Sequence, residues 1–284
     1  MRIAFRFLAP LALASAIHLP AHAADYDPPM VIEQEEYLEE VVPVEIGSGW
    51  YLRGDIGYAV GAVASGSFTN TTFRVPTNDY PTANFNNARF SGGISAGVGF
   101  GYRFTDYFRS DLMLERGDLN FSGTAAMPGP CPGQAASTTC TDTATATMTN
   151  TSLMANAYVD LGTFARFTPY IGAGAGVVLT TYNNASSAYT CVPGAASCAA
   201  VPATPGTHEG STSWRFSYAA MAGIAFDLSK NFKLDVGYKF RHVGAGDMYR
   251  FTQFDQNLGA NGVQARDPGF ISHEVRVGLR YELW

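Results

Sequence analysis

From Trp50 onward the chain alternates apolar and polar positions with period two, the signature of β-strands whose two faces meet different surroundings. In "WYLRGDIGYAV" Trp50, Leu52, Ile56, Tyr58 and Val60 share one face, and Arg53 and Asp55 take the other. "RFSGGISAGVGFGYRFT" sets Phe90, Ile94, Val98, Phe100, Tyr102 and Phe104 against glycines, serines and Arg103. Phe108, Leu112 and Leu114 oppose Arg109, Asp111 and Glu115, and Leu153, Val159 and Leu161 oppose Asn156, Tyr158 and Asp160. Ile171, Val177 and Leu179 oppose Tyr170 and the glycines of "GAGAG". Trp214, Phe216, Tyr218, Ile224 and Phe226 oppose Arg215 and Asp227, and Phe232, Leu234, Val236, Tyr238 and Phe240 oppose Lys233, Asp235, Lys239 and Arg241. The final stretch sets Ile271, Val275, Val277, Leu279, Tyr281 and Leu283 against Glu274, Arg276, Arg280 and Glu282. The pattern predicts eight strands, at roughly 50–62, 89–105, 107–119, 149–162, 168–181, 213–228, 231–243 and 269–284.

When each strand is phased on its apolar set, 18 of the 20 charged residues in these spans fall on the opposite face, the exceptions being Arg116 and Asp118. A soluble sandwich places aromatics in its core and charges outward. Here the polar face is rich in glycine and small residues, as a crowded interior requires. The connections alternate strictly: about one to five residues after the second, fourth and sixth strands, and roughly 25 or more elsewhere. Short turns at one end, long loops at the other and an even strand count are the pattern of an outer-membrane barrel, with both termini periplasmic and the long loops extracellular. The expected fold is all-β: an eight-stranded antiparallel up-and-down transmembrane β-barrel.

Composition agrees. Only 15% of residues are Asp, Glu, Lys or Arg, against about a quarter in ordinary soluble domains, yet no apolar run is long enough for a membrane helix. Arg2 and Arg6, the apolar run from Phe7 to Ile17 and the Ala21-His22-Ala23 site read as a secretory signal peptide over residues 1–23. Residues 24–47 carry eight acidic side chains and no basic one, and read as a disordered periplasmic lead. Removing Arg2 and Arg6 takes the net charge from −6 to −8, and the eight acids of the lead account for all of that, so the barrel, residues 48–284, is neutral overall. Without a basic patch, nucleic-acid binding is disfavoured.

"GSGWYLRGDIGY", "TPYIGAGAGV", "NFKLDVGYKFRHV" and the terminal "RVGLRYELW" together resemble the opacity and Omp25-like eight-stranded barrels of Gram-negative, especially alphaproteobacterial, outer membranes. The resemblance covers residues 48–284. It implies insertion by the barrel-assembly machinery, contact with outer-membrane lipid and lipopolysaccharide, and a structural or surface role through the loops: membrane integrity, adhesion or host contact. A monomer is expected. In this family the last residue is usually a lipid-facing aromatic; here Leu283 holds that phase and Trp284 stands one position beyond it.

Candidate chemistry is sparse. The glycine runs lack the spacing of a phosphate-binding loop. Cys131 and Cys140 lie in one long connection and Cys191 and Cys198 in another, at spacings that do not match zinc sites; in an oxidising compartment they are expected as two local disulfides, Cys131–Cys140 and Cys191–Cys198. His242 and His273 fall on the lipid-facing phase near the outer rim. A rim hydrolase acting on lipid A would use Ser272, but alternation turns Ser272 inward and His273 outward, so the histidines are expected at the interface with lipopolysaccharide phosphates. No catalytic residue, cofactor or metal is expected. Trp50, Phe104, Phe108, Phe232 and Tyr281 are expected to form one aromatic girdle and Trp214, Phe216 and Phe270 the other.

What remains is the interior. Ten basic residues (Arg53, Arg89, Arg103, Arg109, Arg215, Lys233, Lys239, Arg241, Arg276, Arg280) are expected to face eight acidic ones (Asp55, Asp111, Glu115, Asp160, Asp227, Asp235, Glu274, Glu282). Near-balanced signs favour cross-lumen pairing over a lining that selects ions. The rival to a structural barrel is a small-solute, porin-like channel.

Overall fold

The computed structural model describes residues 49–127, 135, 137–192 and 206–283. Its strands are β1 Trp50–Ala64, β2 Thr69–Thr71, β3 Thr82–Ser91, β4 Ile94–Arg103, β5 Phe108–Met127, β6 Thr139–Asp160, β7 Phe167–Tyr182, β8 Ala185–Val192, β9 Gly206–His208, β10 Thr212–Asp227, β11 Phe232–Val243, β12 Gly246–Arg250, β13 Val263–Asp267 and β14 Phe270–Glu282, with one short helix, α1, at Gln253–Asn257. The signal peptide and acidic lead expected at 1–47, and Cys131, Cys198 and Trp284, lie outside the described residues.

Eight of these strands pair antiparallel in one closed ring: β1 with β4, β4 with β5, β5 with β6, β6 with β7, β7 with β10, β10 with β11, β11 with β14, and β14 back to β1. The expected barrel is therefore observed. Closure satisfies every strand's backbone within the sheet, which is what a bilayer demands. At the short-turn end, hydroxyls finish the turns: Thr105 Oγ1 accepts from the Tyr107 and Phe108 amides, and Ser229 Oγ from those of Asn231 and Phe232.

Two strand assignments differ from the sequence reading. The second predicted strand is two elements, β3 and β4, separated by Gly92-Gly93, where the alternation resets. A Cβ on Gly93 would stand 1.7 Å from the Asp118 carbonyl oxygen, so only glycine admits this close approach. The reset turns Phe90 into the interior and Arg89 outward, reversing both expectations; Arg89 is exposed and donates to Ser122 Oγ. The third and fourth strands continue far past their predicted ends, and β5 and β6 form one long hairpin paired from Phe108↔Val159 to Met127↔Cys140. The remaining long connections also carry structure. β8 and β9 extend the β6 edge, and β2, β12 and β13 pair into a ribbon reaching β3.

The outer surface carries an apolar belt, including Leu52, Ile56, Val98, Leu114, Leu153, Ile171, Val236, Val277 and Leu279, all exposed. Beyond that belt, toward the long-loop end, the pattern inverts. Phe68, Phe85, Phe90, Leu119, Phe121, Met148, Val178, Tyr182, Val243, Met248 and Phe270 pack inside as one buried apolar cluster, with ring centroids 5.1 Å apart for Phe68–Phe121 and Phe90–Phe270. Phe270, expected in an aromatic girdle, belongs to this cluster because it shares the inward phase of Ser272 and Glu274. The other girdle residues are exposed as expected.

Candidate functional site

The site that the sequence singled out is the lumen, and alternation delivers its side chains there from all eight ring strands. At the short-turn end, Arg103 pairs with Glu282, and Lys233 lies 2.6 Å from Asp227 and 3.9 Å from Glu282. Above them Arg109, fully buried, holds Asp160 at 3.1 Å. Its guanidinium also lies over the rings of Tyr158 and Tyr170, at 4.1 and 4.9 Å from their centroids, so two aromatic faces take the place of further carboxylates. Arg280 lies 3.5 Å from Asp235 and 5.4 Å from the centre of the Tyr51 ring. Space for these rings comes from glycine on the neighbouring strand: a Cβ on Gly172 would meet Tyr158 Cδ1 at 2.5 Å.

The densest part follows. Arg53 bonds Asp55 at 2.9 Å, reaches Asp111 at 3.5 Å and donates to the Tyr158 hydroxyl at 3.2 Å. Arg276 joins Asp55 and Glu115 at 2.6 Å each, with Glu274 at 3.5 Å. Glu115 also takes Lys239 and, at 3.8 Å, Arg241. Asn156 Nδ2 donates to Asp111, and Ser95 Oγ to Glu274. Opposite charges thus meet across the lumen. Desolvation offsets much of the attraction in such pairs, so their net contribution to stability is small, while losing one partner strands a buried charge.

Of the eighteen interior charges expected, Arg89 alone points outward. Arg215 points inward as expected, but its partner, Asp267 at 2.8 Å, comes from β13 in a connection rather than from the ring. Burial pushes the Asp267 carboxyl up, against the pull of Arg215 and its bonds from the Gly269 amide and Tyr182 hydroxyl. Tyr51 was not anticipated, since it precedes the first clear alternating pair.

At the rim, Ser272 is buried inward and His273 faces outward, bonded to the Tyr238 hydroxyl, while His242 stacks on Tyr218 with centroids 4.8 Å apart. Cys140 and Cys191 stand opposite each other in the β6–β8 register, and neither is a free thiol. Among the described residues no group of His, Cys, Asp and Glu is placed to hold a metal ion. One polar cluster escaped the sequence reading altogether. Asp142, Ser187 and His208, from β6, β8 and β9, are all buried and linked by hydrogen bonds.

Comparisons place this architecture. The chain is 36% identical over 263 residues to an uncharacterized protein of Brucella suis, covering 87% of this chain and 89% of that one. It is 24% identical over 247 residues to a Rickettsia felis protein named as an adhesin, covering 84% and 90%. Among solved structures, outer membrane protein OprG from Pseudomonas aeruginosa aligns with a TM-score of 0.43 and 12% identity, over 84% of this chain and 96% of that one. The family model of the outer membrane protein beta-barrel domain matches residues 9–261. The chain therefore belongs to the outer membrane protein beta-barrel domain family.

Proposed function

We propose that this outer-membrane barrel is a monomeric surface protein whose long-loop end faces the exterior and contacts a host or surface ligand, with both termini in the periplasm and a lumen that does not conduct. The observation that carries this reading is the inversion above the apolar belt. A barrel serving only as a membrane filler has no use for strands that continue past the belt with polar residues outside and an apolar core inside, whereas a rigid platform for contact does. The cross-lumen pairs around Glu115 and the apolar cluster above them favour a closed interior, since an eight-stranded barrel is only just wide enough for its own side chains. Relatives named as adhesins support the same role. The apolar belt and the outward His242 and His273 suit contact with lipid and lipopolysaccharide, and insertion is by the barrel-assembly machinery.

Whole cells displaying the protein are expected to bind cultured epithelial cells, and shortening the β5–β6 hairpin by residues 118–149 to reduce that binding; unchanged binding after the deletion would overturn the adhesive reading. Planar-bilayer recording separates the channel alternative: stable single-channel steps, widened by Arg103→Ala or Arg280→Ala, would replace the closed barrel with a conducting one. For the cysteines we propose Cys131–Cys140 and Cys191–Cys198. Closing loops of about ten residues restricts the unfolded chain by roughly 2.5–3 kcal/mol in the entropic account. Mass spectrometry of non-reduced digests is expected to recover these two linked peptides, and a Cys140–Cys191 peptide would contradict them.

A further inference from the structure

Two of the connections at the long-loop end are fastened to each other by a buried polar chain that packs against a third. Ser187 Oγ on β8 lies 3.3 Å from Asp142 Oδ2 on β6 and 3.0 Å from His208 Nε2 on β9. The His208 ring packs on Tyr249 of β12, centroids 5.1 Å apart, and Gln264 of β13 lies within reach of it. All three members of the chain are 4% exposed or less. No Lys or Arg forms an ion pair with Asp142 among the described residues. The other ionisable groups facing the cluster are Tyr189 on β8, Tyr249 on β12 and Asp255 on α1; Arg250 of β12 meets His208 through its backbone, and its side chain and that of Glu209, next to His208, are exposed. Three polar atoms here lack partners although buried: Asp142 Oδ1, His208 Nδ1 and Gln264 Oε1.

We propose that Asp142, Ser187 and His208 form a proton-linked latch that holds these connections closed across the barrel mouth and keeps their closure nearly independent of pH in mildly acidic surroundings. With Asp142 ionised, the His208 Nε2–H donates to Ser187 and the Ser187 hydroxyl donates to the carboxylate, which leaves Nδ1 without a partner, as Gln264 Oε1 also is. One added proton reverses every bond. The carboxyl O–H then donates to Ser187, Ser187 donates to Nε2, and the ring proton sits on Nδ1, free to donate to Gln264 or to the Arg250 carbonyl, both of which act on the ring. The cluster gains one proton, the imidazole stays neutral throughout, and the protonated form turns the unpartnered Nδ1 into a donor.

The pH-independence follows from two opposing linkages. Burial pushes the Asp142 carboxyl up to about 6, so the closed form takes up a proton below pH 6 that an open carboxylate refuses until about pH 4; closure gains as pH falls through that window. Burial pushes His208 down, so an opened imidazole takes up a proton below about pH 6.5 that the closed ring refuses; closure loses as pH falls. Between these limits each form binds one proton, on Asp142 when closed and on His208 when open.

Hydrogen exchange of the β8 and β9 amides, on full-length protein in lipid nanodiscs and corrected for intrinsic rates, reads the opening equilibrium. From pH 7 to pH 5 the unmodified protein is expected to change by no more than about threefold. Asp142→Asn leaves only the histidine linkage, so its opening rises by up to about 25-fold. His208→Gln leaves only the carboxyl linkage, so its opening falls by about tenfold. Opposite slopes in the two variants support the latch; slopes of the same sign, or a steep slope in the unmodified protein, overturn it. If a variant does not assemble, histidine nitrogen NMR on the unmodified protein decides: a switch of His208 from the Nε2–H to the Nδ1–H tautomer between pH 7 and 5 is expected, and an imidazolium signal at pH 5 contradicts the proposal.

Discussion

Strand β5 crosses two solvents without changing its phase. In its first half, up to Glu115, the inward residues are Arg109, Asp111, Met113 and Glu115, and the outward ones include Phe108, Leu112 and Leu114. In its second half the inward residues are Leu119, Phe121, Gly123 and Ala125, and the outward ones are Arg116, Asp118, Asn120, Ser122 and Thr124. β6 repeats the exchange: Leu153 and Val159 outward over Ser152, Asn156, Tyr158 and Asp160 inward, then Thr141, Thr143, Thr145, Thr147 and Thr149 outward over Ala144, Ala146 and Met148 inward, with Asp142 and Asn150 the polar members of that inner face. The backbone geometry is the same in both halves, so the environment alone decides which face is apolar. In lipid the polar groups hide inside and must find one another; in water the apolar groups hide inside and need only pack.

That contrast gives graded expectations. The largest belongs to the lower half. Glu115→Ala removes the carboxylate that pairs with Lys239 and Arg241 and leaves Arg276 with Asp55 and Glu274; it is expected to cost about 3–5 kcal/mol, read by urea unfolding of the protein in micelles. Phe121→Ala, in the upper half, removes the ring between Phe68, Phe85 and Phe90. It is expected to cost about 3 kcal/mol or more, but locally, as faster hydrogen exchange in β2 and β3 with the ring strands unchanged. Leu153→Arg puts a cation against lipid just below the crossover, opposite Leu114, at a cost of about 1–2 kcal/mol, between the midplane and interface values. Thr145→Arg, the same chemistry eight residues earlier on the same face, is expected to change unfolding by no more than about 0.5 kcal/mol. Equal costs for the two arginines would erase the distinction between the halves.

The lower half was legible in the sequence because its outward residues are large and branched and its inward ones charged, a contrast that period-two reading detects, and because short turns mark one end. The interior ion pairs followed from the same alternation. The upper half was not legible for a physical reason. Phasing each strand on its apolar residues assumes one solvent, so the assumption fails where the solvent changes, and the Thr and Ala alternation of 141–149 offers little contrast of its own. Arg116 and Asp118, the two charges that broke the rule, were the visible trace of the crossing. Arg89 and Phe90 were misplaced because the reset at Gly92-Gly93 depends on how closely β5 approaches, which only the folded sheet determines. The Asp142, Ser187 and His208 cluster draws on three segments far apart in sequence, and no local spacing announces it.

On β5 the outer face of one continuous strand passes from lipid to water near Arg116. A nitroxide attached through an encoded ketone residue, leaving the native cysteines untouched, can be placed in turn at Leu112, Leu114, Arg116, Asp118, Asn120 and Ser122 in protein reconstituted into bilayers. Its relaxation by oxygen and by a water-soluble nickel complex then reports which solvent each position meets. Oxygen-dominated relaxation is expected at Leu112 and Leu114, and nickel-dominated relaxation from Asp118 onward, with Arg116 at the crossover. Oxygen dominance continuing through Asn120 and Ser122 would contradict it.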